Sequence, residues 1–184
     1  MSWSDIPRLT RLAAVLALAG VTAGCFQPIY GDHSVLGNAA IGSKLGSVEV
    51  APIATPNGTR IARVGVGLRN ELIFELTGGG STASATHKLE VKLTANIQQV
   101  IVDVNSARPD IENYAINATY TLTDLATNKV VTTGQTFTRV TYDIPGQQQR
   151  FAGARGLRDA EDRAAKVIAE NIRTRLASYF VAGT

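Results

Sequence analysis

At 184 residues, 45% hydrophobic and 18% charged, the chain is long enough for one ordinary core, too short for two, and too apolar to be disordered or collagen-like. One Cys and two His exclude an internal disulfide and a cysteine-rich zinc or iron–sulfur site, so no metal or cofactor is expected. The net charge of +3 comes from Lys and Arg scattered along the chain rather than stacked in a run, which gives no footprint for nucleic acid.

Arg8 and Arg11 precede the apolar run Leu12-Ala13-Ala14-Val15-Leu16-Ala17-Leu18-Ala19, and the small residues Gly20, Ala23 and Gly24 follow. That order reads as a secretory signal peptide over residues 1–24, because the apolar stretch is about half of the roughly 20 residues a spanning helix needs. The single Cys, Cys25, follows Thr22-Ala23-Gly24 and resembles the lipidated Cys of a bacterial lipobox, with Thr22 where such boxes usually carry Leu or Val. Phe26 stands where inner-membrane lipoproteins commonly carry Asp, which implies sorting to the outer membrane. A single acyl chain holds a bilayer only marginally, whereas a triacylated Cys25 anchors firmly. Loss of residues 1–24 removes Arg8, Arg11 and Asp5 and leaves a mature chain that is nearly balanced in charge.

Pro28 to Gly46 is rich in Gly and poor in large apolar residues, so residues 25–44 are expected to be a lipidated tether with little regular structure, leading to one domain over 45–184. Val48 and Val50 alternate with Ser47 and Glu49, predicting a short strand over about 45–51 that Pro52 ends. After the turn Thr55-Pro56-Asn57-Gly58, the positions Ile61, Val64, Leu68, Leu72 and Leu76 predict a helix over about 59–77, stopped by Gly78-Gly79-Gly80. Gly65 and Gly67 each cost about 1 kcal/mol against Ala inside a helix, so either the helix is weak there or a neighbour packs closely. A phosphate-loop reading of Gly65-Val66-Gly67 lacks the third Gly and the strand-to-helix turn.

From His87 the period changes to two, with Leu89, Val91, Leu93, Ala95 and Ile97 on one face and Lys88, Glu90, Lys92, Thr94 and Asn96 on the other. The strand continues through Gln98 to Val104 with a blurred alternation that suggests a bulge, until Asn105-Ser106-Ala107-Arg108-Pro109-Asp110 breaks the chain into a loop. Tyr114, Ile116, Ala118, Tyr120 and Leu122 form a third strand, Asp124 to Lys129 a hairpin turn, and Val130 to Tyr142 a fourth strand. Past the polar Pro145–Gln149 stretch, Leu157, Ala160, Ala164, Val167, Ile168, Ile172, Leu176 and Tyr179 predict a second helix over about 157–180. Asp159, Glu161 and Asp162 then fall in its first turns as a solvated start, and Arg173 and Arg175 in its last, as the helix dipole favours. The order β-α-β-β-β-α defines an α+β two-layer sandwich, with two helices packed on one face of a four-stranded mixed sheet.

No catalytic set emerges. His33 and His87 share no partner, no Ser sits in a Gly-x-Ser-x-Gly elbow, and a lipidated Cys25 is not a nucleophile. Asn57-Gly58-Thr59 and Asn117-Ala118-Thr119 match the glycosylation pattern, yet beside a bacterial lipobox they read as a turn and a strand. Tyr114 and Tyr120 share an apolar strand face and are expected in the core rather than stacking on bases. The task left for such a chain is binding.

Four segments carry a family resemblance: Ala23-Gly24-Cys25-Phe26-Gln27-Pro28-Ile29-Tyr30-Gly31, Gly67-Leu68-Arg69-Asn70-Glu71-Leu72, Tyr142-Asp143, and Arg158-Asp159-Ala160-Glu161-Asp162-Arg163-Ala164-Ala165. In this order they resemble the LptE family of lipopolysaccharide-assembly lipoproteins in its alphaproteobacterial form. The resemblance implies the same two-helix, four-stranded fold and no enzymatic activity. It also implies an outer-membrane lipoprotein, periplasm-facing or inside a barrel lumen, that plugs and helps assemble the LptD β-barrel and binds lipopolysaccharide on its way to the cell surface. Arginine reads phosphate through paired N–H donors, so Arg108 in the loop before the third strand, and Arg150 and Arg155 before the second helix, are the expected lipopolysaccharide contacts. Arg69 and Asn70, turned away from Leu68 and Leu72, are expected to serve packing or the barrel contact. The rival reading is an accessory lipoprotein of a lipid-exporting ABC transporter or another envelope complex, which copurification of the partner distinguishes.

Overall fold

The structure, a computed structural model, describes residues 41–80, 84–100, 111–144 and 150–182. The expected signal peptide, Cys25, His33, the expected loop with Arg108, and Pro145–Gln149 lie outside the described residues. The elements are α1 (Ile41–Gly46), β1 (Val48–Val50), α2 (Arg60–Thr77), β2 (His87–Val100), β3 (Ile111–Asp124), β4 (Lys129–Asp143) and α3 (Arg150–Ala182). The expected α+β order is present. Residues 41–46, expected to be irregular, instead form α1, whose Leu45 is buried against the core.

Local chemistry sets the limits of α2. Thr59 is extended (φ −95°, ψ 160°), and its hydroxyl accepts from the Ala62 N–H at 3.3 Å, which satisfies a donor the helix leaves orphaned. At the far end Gly78 adopts φ 68°, and its N–H closes on the Phe74 carbonyl at 2.8 Å. Between the caps, Val64, Leu68, Leu72 and Leu76 are buried, as their spacing requires. Gly65 is buried too: a β-carbon there would lie 3.5 Å from the methyls of Ile53 and Thr55, so it marks a close approach of the chain leaving β1. Gly67 has no such neighbour.

The strand order is β1-β2-β3-β4, with β1 parallel to β2 and the remaining pairs antiparallel. β2 pairs with β3 in unbroken register from His87↔Asp124 to Val100↔Ile111, so the expected bulge in β2 does not occur among its described residues. The irregularity lies on the other side, where Val131 is passed over between Leu122↔Thr132 and Thr123↔Val130. In the turn beyond, the Asp124 carboxylate accepts from the N–H groups of Ala126 and Thr127 at 2.8 Å each, which holds its pKa below the usual value, and Asn128 takes φ 56°.

One sheet face carries Leu89, Val91, Tyr114, Ile116, Ala118, Tyr120, Leu122, Val140 and Tyr142 into the core. α2 lies over β1 and β2, and α3 over β3 and β4. Small residues on α3, among them Ala160, Ala164, Ala165 and Ala169, line the same core as the three bulky tyrosines, so large and small side chains fill one layer. Tyr120 lies across Gly134, its direct partner on β4, so closely that a β-carbon at Gly134 would overlap the phenol ring. The other sheet face is largely polar, and none of the described helices packs on it; Phe137, 49% exposed, is a large apolar exception on β4, with the Arg139 guanidinium 5.7 Å from its ring centre.

α3 begins at Arg150, well before the expected start near 157. Asp159, Glu161 and Asp162 therefore sit beyond its first turn, Arg173 and Arg175 before its last, and the predicted dipole-matched charge order does not hold. Ion pairs join the helix to α2 at both ends: Arg63–Glu161, with Arg60 beside it, and Glu75–Arg173, the Arg63 and Glu75 pairs each spanning 98 residues of sequence. Equal spans mean that the two helices run parallel and in step. Both begin at the end of the sheet where β2 stops, and both finish at the end where the chain enters through α1.

Candidate functional site

The two ends of the sandwich differ in chemistry. At the entry end the packing is closed: the Ser47 carbonyl accepts from the Thr86 N–H at 2.9 Å, the Lys44 ammonium reaches the Phe180 carbonyl at 3.5 Å, and His87 meets the Phe180 ring edge-on at 5.3 Å. At the opposite end the described residues form open clefts that adjoin one another, three of them built around the arginines and the end of β4. The first, about 350 Å³, is lined by Arg60, Ile61, Ala95, Ile97 and Tyr114. The second, about 370 Å³, is shared by Arg60, Arg63, Glu112, Tyr142 and Arg158, and the third, about 450 Å³, runs between the end of β4 and Asp159 and Arg163 of α3.

Glu161 organises this end. Its side chain is 3% exposed; one carboxylate oxygen lies 2.5 Å from Nη2 of Arg63, and the other lies 3.7 Å from Nε of Arg60 and has no hydrogen-bond partner. Burying a carboxylate is costly unless it is paired, so Glu161 fixes where both guanidiniums must stand. The two arginines remain about half exposed, at 54% and 50%, toward the clefts. Tyr114, buried beside this group, has its phenol pKa pushed up to about 12, first by burial and then by the Glu161 carboxylate. The Tyr142 hydroxyl donates to Glu112 across the β3–β4 pair, and burial together with that bond raises its pKa as well. Gln99 donates to the other Glu112 oxygen at 3.2 Å.

Of the expected contacts, Arg108 and Cys25 lie outside the described residues. Arg150 and Arg155, expected before the helix, belong to it: Arg150 is its first residue, and Arg155 is exposed in its opening turns and lines none of these three clefts. Arg69 donates from Nε to the Val50 carbonyl at 3.2 Å and so ties α2 to the end of β1, whereas Asn70 is exposed. Glu161, read as part of a solvated helix start, is buried, because Arg60 and Arg63 come to it from another element.

Arg60, Arg63 and Glu112 carry no signal of their own in the sequence, and Tyr142 and Arg158 enter there only within the segments that carry the family resemblance. One signal was present: Leu157, Glu161, Ala164, Ile168 and Ile172 follow a single helical stripe, and an acid within an apolar stripe requires a cation opposite. No cluster of His, Cys, Asp and Glu able to hold a metal occurs among the described residues. None of the described helices is long and apolar enough to cross a membrane.

A putative lipoprotein from Caulobacter crescentus CB15 has a similar fold, with a TM-score of 0.61 at 23% identity over 78% of this chain and 97% of that one. The rare lipoprotein B from Shewanella oneidensis aligns at a TM-score of 0.49 and 12% identity, over 73% of this chain and 96% of that one. No curated protein matches the sequence. The family model described as LptE, lipopolysaccharide-assembly, matches residues 45–176, which takes in every strand, the whole of α2 and most of α3. A match over that much of the chain places it in the LptE family.

Proposed function

We propose that this chain is an outer-membrane lipoprotein, anchored through acylated Cys25, that plugs and helps assemble the LptD β-barrel and binds lipopolysaccharide during its transport to the cell surface. Family membership supports the class of task, and the observation that carries the barrel contact is the sheet face that none of the described helices covers. Lys92, Thr94, Asn117, Thr119, Gln135 and Thr141 project from it, a polar surface of the kind a water-filled barrel lumen meets without desolvating apolar groups. The task is binding rather than turnover. Lipopolysaccharide phosphates fall to the arginine end, with Arg108, Arg150 and Arg155 as further contacts.

The test is purification of the tagged full-length chain from total membranes. Copurification of an LptD-sized barrel, with a mass for the mature N-terminus that shows acylated Cys25, is the expected result. An inner-membrane transporter in place of the barrel overturns the assignment in favour of the accessory-subunit reading, and an unmodified N-terminus other than Cys25 removes the anchor.

A further inference from the structure

A cation in the first turn of a helix opposes the macrodipole by about 0.3–1 kcal/mol. α2 nevertheless opens with Arg60 and Arg63 and has no acid in its first turn, so helix stability does not account for the pair. Glu161 makes the placement tolerable from the neighbouring helix, but it engages only part of the donor capacity: Nη2 of Arg63 closely, Nε of Arg60 at 3.7 Å. Each guanidinium has five N–H donors. The remainder faces the cleft of about 370 Å³, into which α3 contributes Arg158 as a third cation. The opposing charge in that cleft is Glu112, already engaged by the Tyr142 hydroxyl and the Gln99 amide. From the same Arg60 the adjoining cleft opens onto Ile61, Ala95, Ile97 and Tyr114, a half-apolar wall of the kind the ring face of a sugar needs.

We propose that Arg60, Arg63 and Arg158 form a subsite for the phosphate of a phosphorylated sugar, with Glu161 as the positioning residue that holds two of the three guanidiniums in place. The inference deepens the lipopolysaccharide reading and rests on it for the source of the phosphate. It differs from those further contacts in that two of its cations, Arg60 and Arg63, are held by a buried carboxylate, so their geometry is set before a ligand arrives. A planar, pre-oriented fork matches phosphate oxygens in pairs, which a mobile surface charge does not.

The full-length chain in detergent is titrated calorimetrically with three probes: lipopolysaccharide, the same material stripped of phosphate by hydrofluoric acid, and inorganic pyrophosphate. The wild type is expected to prefer the intact over the stripped form by at least tenfold. Arg60→Gln with Arg158→Gln abolishes that preference, whereas Arg175→Gln, toward the other end of α3, changes it less than twofold. Glu161→Gln leaves all three cations in place and makes the cleft more positive, yet it reduces the preference at least threefold; tighter binding instead shows that the arginines act as plain charge and overturns the positioning role. Arg60→Lys guards against a folding defect, since it keeps the charge and loses the fork, and it reduces the preference without shifting the thermal midpoint. If the double variant retains the preference, the subsite is wrong while the lipopolysaccharide reading stands. If the wild type binds neither lipopolysaccharide form, that reading fails and pyrophosphate decides: binding lost in the double variant assigns the site to free phosphate, and no binding overturns it.

Discussion

At the entry end of the sandwich, α1, the start of β2 and the last turns of α3 close on one another, with Leu176 fully buried and Phe180 8% exposed between them. At the arginine end β2 runs on past the helix layer: Thr94 to Val100 are exposed apart from the pairing with β3, and Phe151 in the first turn of α3 is 89% exposed. The 14 residues of β2 span roughly 45 Å, so the two ends are well separated. The difference shows how one fold divides its work. Apolar burial is concentrated where the chain enters and along the middle of the sheet, and this leaves the far end free to hold half-exposed arginines, open clefts and a strained charge order that a stability-driven end would not keep.

The largest expected effect contrasts two positions on one helix. Leu176→Ala removes a fully buried side chain and is expected to cost about 2–5 kcal/mol. Phe151→Ala, on the same helix at the other end, is expected to fall within about 0.5 kcal/mol of the wild type. Urea unfolding followed by circular dichroism measures both. Comparable losses would mean that the arginine end is as tightly packed as the entry end, and the comparison would collapse.

The sequence made the closed parts legible and the open end much less so, for a physical reason. Where an element faces a core, its apolar spacing records the contact: Leu68, Leu72 and Leu76 announce α2, and the alternation from Tyr114 to Leu122 announces β3 with its inward face. The opening turns of α3 extend where little core is available, so Arg150 to Gly156 carry no apolar stripe and the helix start was placed late. The same cause hid the site. Arg60 and Arg63 lie 98 or more residues from Glu161, and only the parallel alignment of α2 with α3 brings them together, a relation that no local spacing encodes. α1 was missed because a six-residue helix is too short to show a period.

A pH experiment sharpens the comparison. The Tyr114 phenol, pushed from its ordinary 10.0 to about 12, binds its proton more tightly in the folded protein than in the unfolded chain. Between those values the unfolded state holds fewer protons, so the contribution to stability is complete below about pH 10 and is lost as the pH rises toward 12. The loss is expected to be on the order of 2 kcal/mol by pH 12. Tyr120 and Tyr142, also raised, add to the wild-type slope; Tyr114→Phe removes one share of it while keeping the ring in the core. Chemical denaturation at pH 9, 10.5 and 11.5 reads the slope, and an unchanged slope in the variant would show that Tyr114 is not shielded beside Glu161.

The smallest effect separates the two glycines inside α2. A β-carbon at Gly67 meets nothing within 4 Å, so Gly67→Ala gains helix propensity and lowers the entropy of the unfolded chain without a clash. The expected gain is about 0.5–1 kcal/mol, seen as a higher urea midpoint with an unchanged slope. At Gly65 the new methyl group would stand 3.5 Å from Ile53 and Thr55, ordinary contact distance with no slack, so the same substitution there is expected to gain less or nothing. If Gly67→Ala leaves folding more stable but weakens the barrel complex, the outer surface of α2 belongs to the interface, and the glycine is kept for a partner that comes close rather than for the helix itself.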